Sequence, residues 1–134
     1  MYNLINKTFG GLNMLKIGLI GAGHIAANHI NAYKKTGICE VVAIADINIE
    51  NAKNRAEEFE IKNYYADYTE LLKDESIDAV SIITPTFTHK EMVVAALKAG
   101  KHVLCEKPFT TTSEELEELI SLAKEKHLYL FEAI

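Results

Sequence analysis

Two glycines, a carboxylate and a lysine are the residues of this chain whose types and spacing could do chemistry. Gly21 and Gly23 lie in Gly21-Ala22-Gly23-His24-Ile25-Ala26, directly after the apolar run Leu15-Lys16-Ile17-Gly18-Leu19-Ile20. A glycine at the first position permits a tight turn out of a strand. One at the second lets the backbone approach a ligand with no side chain between, and a small residue at the place of Ala26 keeps the next helix close to the sheet. The start of that helix offers unpaired N–H groups and a partial positive charge, which suits the pyrophosphate of a dinucleotide. His24 and Ile25 lie inside the turn and are expected to add backbone contacts. A GxGxxA string is common among glycine-rich turns, so the surrounding elements decide what it means.

Asp46 stands at the end of the next strand-like run, about 20 residues beyond the glycines, where an acidic residue hydrogen-bonds the adenosine ribose of NAD. Its carboxylate would accept from both ribose hydroxyls and repel a 2′-phosphate, and Asp46-Ile47-Asn48 holds no arginine to receive one. NAD is therefore expected over NADP. The competing role for Asp46 is to cap the helix that follows. Two later segments also end apolar runs: Thr84-Pro85-Thr86-Phe87-Thr88-His89 and Glu106-Lys107-Pro108. In open α/β sheets ligands bind outside the carboxyl ends of the strands, so both should border the crevice of the glycine turn.

The elements that must position these residues alternate along the chain. Strands are predicted at Leu15–Ile20, Glu40–Ala45, Asn63–Ala66, Ala79–Ile83, His102–Cys105 and Leu128–Phe131. Helices are predicted between them, and each carries a physical signal. Ile25–Lys35 stops at Gly37, a residue suited to the left-handed conformation past a helix end. Ile49–Phe59 has Asn48 as N-cap and Ala52, Ala56 and Phe59 on one face. Tyr68–Lys73 is a short connection. The next helix starts at Thr88, with Glu91 at capping-box spacing, and stops at Gly100. The last repeats that spacing at Thr112 and Glu115 and carries a stripe of Leu116, Leu119, Ile120 and Ala123. This alternation predicts a doubly wound α/β domain with a mainly parallel six-stranded sheet, a Rossmann architecture. Residues 1–13 precede the pattern and are expected to be an extension outside the domain, which would run from 14 to 134.

Composition narrows the function classes. The 134 residues, 49% hydrophobic and 25% charged, fit one compact domain with a real core. A formal charge of −5 argues against a nucleic-acid surface, which needs a basic face. There is no uncharged run of membrane-spanning length and no secretory signal pattern, so no membrane partner is expected and cytoplasmic residence is. Cys39 and Cys105 form no CxxC or Cys/His cluster, and the five histidines lack metal-pair spacing. Buried free thiols and no metal are expected.

With these motifs in place, GLIGAGHIA, AIAD, ITPTFTH, the AGKHVLCEKP run and the closing FEAI resemble the N-terminal half of the glucose-fructose oxidoreductase, inositol dehydrogenase and rhizopine-catabolism (Gfo/Idh/MocA) family. The resemblance covers Leu15 to Ile134, and EKP at this place in the chain is far more specific than the glycines. It implies binding of NAD or NADP and hydride transfer to or from a sugar, cyclitol or related hydroxy compound. It implies that Lys107 lies beside the nicotinamide and the substrate oxygen, as catalytic residue, with Glu106 at the nicotinamide end. Thr84, Pro85 and Thr86 would lend groups to the cofactor, with His89 nearby. A lysine in that role can stabilise charge developing on oxygen or relay a proton.

Each residue also has a plainer reading. Lys107 could be a solvated charge, His89 an exposed first-turn residue, and His29 a packing residue on the first helix. A cis Lys107–Pro108 bond would aim the lysine. The resemblance further implies a second, α+β domain after the sixth strand that supplies the substrate pocket and an oligomer interface. Without it the chain should bind NAD with little turnover, and an uncovered apolar surface would favour a homo-oligomer. An NAD-binding sensor without catalysis, and a domain binding S-adenosylmethionine, are the competing functions.

Overall fold

The computed structural model describes residues 14–85, 88–106 and 112–133. Strands β1 (Leu15–Ile20), β2 (Cys39–Ala45), β3 (Asn63–Tyr65), β4 (Ala79–Ile82), β5 (His102–Glu106) and β6 (Leu130–Ala133) alternate with helices. These are α1 (Ala26–Thr36), α2 (Ile49–Phe59), α3 (Tyr68–Leu72), α4 (His89–Lys98) and α5 (Ser113–Glu125). The sheet order is β3-β2-β1-β4-β5-β6, and all five pairings are parallel. The Rossmann prediction is met. From β1 the chain builds outward first through β2 and β3, then returns to β4 on the other side. This leaves a crevice between the C-terminal ends of β1 and β4, the switch point at which such sheets bind ligands.

Both faces of the sheet are buried, as parallel strands require. Residue alternation sorts the side chains. Leu19 and Ile44 point to one face, where they pack with Ala26, Ile30, Ala52 and Ala56 of α1 and α2. Ala43, Ala45, Val80, Ile82, Val103 and Cys105 point to the other, against Val93 and Leu97 of α4 and Leu119 of α5. Ser81 faces the first side, where its hydroxyl bonds that of Tyr33 and ties α1 to β4. Cys39 and Cys105 are free and buried, as expected, and burial pushes the Cys105 thiol up to about 12.

Most predicted helix ends hold. Gly37 is left-handed (φ 71°). Asn48 Oδ1 accepts from the Glu50 N–H at 3.1 Å, and Thr112 Oγ1 from the Glu115 N–H at 3.1 Å. Three expectations need correction. Thr88 is not a capping-box residue: its backbone is already helical (φ −97°, ψ −7°) and its hydroxyl donates to Pro85 O at 2.7 Å. Ile120 is 41% exposed, and Leu122 packs against the core in its place, because the buried stripe of α5 centres on Leu119. The sixth strand begins at Leu130, two residues late. The Leu128 N–H closes α5 on Ala123 O (2.9 Å) and the Tyr129 N–H donates to His102 Nδ1 (2.9 Å), so neither N–H joins the ladder, and only the Tyr129 carbonyl reaches β5, accepting from the Val103 N–H (2.9 Å). The proposed extension 1–13 lies outside the described residues.

Candidate functional site

The ends of β1, β2 and β4 bring Gly21, Gly23, Asp46, Thr84 and Pro85 around one cavity of about 400 Å³. Gly21 has φ 115°, and a Cβ there would lie 2.9 Å from Ile83 Cγ1 and 3.1 Å from the Ile83 carbonyl, so only glycine fits. Gly23 differs. A Cβ added there would meet no atom of the described residues within 4 Å beyond its chain neighbours, so the backbone lies open at the turn. Ala26 is fully buried, which lets α1 start close against the sheet.

Asp46 Oδ2 accepts from the Ala22 N–H (2.9 Å) and Oδ1 from the Asn48 N–H (2.8 Å). The cap of α2 is Asn48, so Asp46 is released from that duty and instead braces the glycine turn. An ionised carboxylate offers about four acceptor positions, and two bonds leave capacity for ribose hydroxyls. Open backbone at Gly23, a helix start beside it and a carboxylate at the next strand end fit a dinucleotide.

The remaining predicted residues lie elsewhere. His24 and Ile25 are exposed on the turn but do not line the cavity. His89 is buried (1% exposed), and its Nε2 donates to Thr84 O at 2.6 Å. It is neither an exposed residue nor a lining one; it holds the β4 loop from beneath. Glu106 ends β5 outside this cavity, with its Oε1 2.8 Å from His29 Nε2. Thr86, Lys107 and the Lys107–Pro108 bond lie outside the described residues.

Sequence reasoning missed several groups. Tyr68 and Met92 also line the cavity, and their separation from the motifs along the chain hid them. Thr88 lines it as its segment was expected to, and Ile47, 92% exposed, flanks Asp46. Arg55 was also overlooked: from α2 its Nε lies 3.4 Å from Ala22 O and its Nη2 3.4 Å from Gly23 O. The only signal available was its place two turns into α2, the helix that begins beside Asp46. A guanidinium thus stands near the turn, although Asp46-Ile47-Asn48 holds none. Among the described residues no cluster of His, Cys, Asp or Glu could hold a metal ion, and no helix is long and apolar enough to cross a membrane.

Comparison with known proteins agrees with this geometry. Residues 15–133 match the family model GFO_IDH_MocA, described as an oxidoreductase family with an NAD-binding Rossmann fold. Myo-inositol 2-dehydrogenase of Thermotoga maritima is 33% identical over 117 residues, which are 87% of this chain and 35% of that protein. KijD10, a 3-ketoreductase from Actinomadura kijaniata solved with NADP and TDP-benzene, superposes with a TM-score of 0.85 at 37% identity, over 90% of this chain and 37% of that one. An oxidoreductase from Agrobacterium radiobacter solved with NAD+, L-tartaric acid and magnesium gives 0.84 at 27% identity, over 90% and 35%. The chain thus spans about a third of the length of the curated relatives it matches.

Proposed function

We propose that this chain, which belongs to the Gfo/Idh/MocA oxidoreductase family, is the cofactor half of an enzyme that moves a hydride to or from a sugar, cyclitol or related hydroxy compound. The observation that carries the reading is Gly23, whose backbone lies open at the turn among the described residues, as close approach of a pyrophosphate requires. A bound nicotinamide dinucleotide supplies the hydride donor or acceptor. The chain's own residues do the rest. Gly21 and Gly23 shape the turn, and backbone groups at His24 and Ile25 receive phosphate oxygens. Asp46 accepts from the ribose, and Thr84, Pro85 and Thr86 border the cofactor. His89 keeps that border in place. Glu106 orients the nicotinamide end, and Lys107 holds or moves the proton at the substrate oxygen.

NAD is favoured over NADP because a carboxylate at the end of β2, Asp46, would repel a 2′-phosphate on the ribose. Arg55 is the counterweight, since its guanidinium is within reach of the same turn. The 134 residues themselves bind dinucleotide with little turnover, because the resemblance puts the substrate pocket in the remaining two thirds or so of the relatives' length. Cytoplasmic residence accords with two free cysteines. Association into a homo-oligomer accords with the exposed Phe131 on edge strand β6.

Titration of the chain with NADH, NADPH and S-adenosylmethionine tests this directly. NADH should bind, NADPH more weakly and S-adenosylmethionine not at all. Tighter binding of NADPH would reverse the cofactor preference, and binding of S-adenosylmethionine alone would overturn the class. Robust polyol oxidation by these 134 residues would refute the division of labour.

A further inference from the structure

His29 sits in the first turn of α1, the helix that begins at the glycine turn after β1. Its partner, Glu106, is the last residue of β5, and β4 lies between these two strands in the sheet. The contact at 2.8 Å therefore spans the sheet end, joining residues 77 positions apart. An ionised carboxylate only accepts, so Nε2 carries the proton and donates. Both side chains are partly exposed, 15% for His29 and 31% for Glu106. A partly exposed pair of this kind adds little to stability. Its geometric effect is larger: it fixes the carboxylate of the residue directly before Lys107, relative to the helix whose start faces the pyrophosphate.

We propose that His29 is a positioning residue, which holds Glu106 at the nicotinamide end of the site through its Nε2–H. This rests on the dinucleotide reading above. His29 does not touch the cofactor. It couples the phosphate-facing helix to the strand end that carries Glu106, so that both ends of one ligand are set by a single rigid element. One bond leaves Glu106 with acceptor capacity for the ligand.

The test compares a ligand that reaches the nicotinamide end with one that does not. NADH and ADP are titrated into the full chain and into His29→Ala, His29→Gln, Glu106→Gln and the His29→Ala/Glu106→Gln pair, with urea denaturation of each. His29→Ala should weaken NADH about tenfold and leave ADP within about twofold, the size expected for a hydrogen bond to a charged group. His29→Gln, whose amide still donates, should recover most of the loss. The double variant should be no weaker than the worse single one, since residues acting through one contact are not additive. Equal weakening of ADP and NADH, or unchanged NADH binding with an intact fold, would overturn the proposal. A wild-type chain that takes up neither ligand would overturn the site reading and this inference with it.

Discussion

At the end of the sheet where the strands begin, polar groups bond one another; at the end where they finish, several are turned toward a crevice. The first end is closed by Asp78, whose Oδ2 accepts from the Lys16 N–H at 2.9 Å and whose N–H donates to Lys16 O at 2.8 Å. Lys101, 4% exposed, lies in the same region and donates through Nζ to Asp74 O (2.7 Å) and Ile77 O (2.9 Å). Burial lowers its pKa, while Asp74, Asp78 and Glu75 pull the other way. At the second end stand Gly23 with open space beside it and Asp46 with unused acceptor capacity. Charge alone therefore does not mark a site. Lys101 is a deeply buried cation and yet serves the fold, because two backbone carbonyls already hold its ammonium.

This contrast can be broken from either side. Gly21→Val should have the largest effect, since it places a branched side chain at positive φ against Ile83. A loss of about 3 kcal/mol in urea denaturation is expected, together with dinucleotide binding. Lys101→Met should cost about 2 kcal/mol by leaving buried carbonyls short of a donor, with dinucleotide affinity unchanged by fluorescence titration. A loss of affinity there would erase the distinction between the two ends. Asp46→Asn should reduce NADH affinity about tenfold and narrow the gap to NADPH; its amide can accept from only one of the two backbone N–H groups that the carboxylate holds, so a loss of about 1 kcal/mol in urea denaturation is expected with it.

The smallest effect concerns acid. Burial lowers the pKa of His102, and its Nδ1 accepts from the Tyr129 N–H, so the folded chain favours the neutral ring. Below about pH 6.5 the unfolded chain binds the proton first. Stability from this residue is full above that value and falls as pH drops toward the folded pKa. Denaturation midpoints between pH 7.5 and 5.5 should show the decline, and His102→Asn should flatten it.

Much of the fold was legible because its signals are local. Gly37 and the side chains of Asn48 and Thr112 act within a few residues, so chain order alone identifies them as helix ends. The start of β6 was not legible, because the Tyr129 N–H is drawn to a histidine 27 positions earlier. Thr88 failed for a related reason: the capping spacing is present, but a closer carbonyl takes the hydroxyl. The site divides in the same way. The turn glycines and Asp46 announce themselves by spacing and strand ends. Arg55, Tyr68, Met92 and the His29–Glu106 contact come from separate helices and strands, and only the assembled sheet brings them together.

The two cysteines of the sequence bear on how the site could be watched. Thiolate is the reactive form, and burial pushes the Cys105 thiol up to about 12, so it stays protonated at ordinary labelling pH. Cys39 is shielded by burial. The native chain therefore offers a nearly silent background to thiol-reactive dyes. Ile47→Cys would place one accessible sulfur beside Asp46, where a fluorophore could report ligand arrival at the ribose end without any other cysteine being removed.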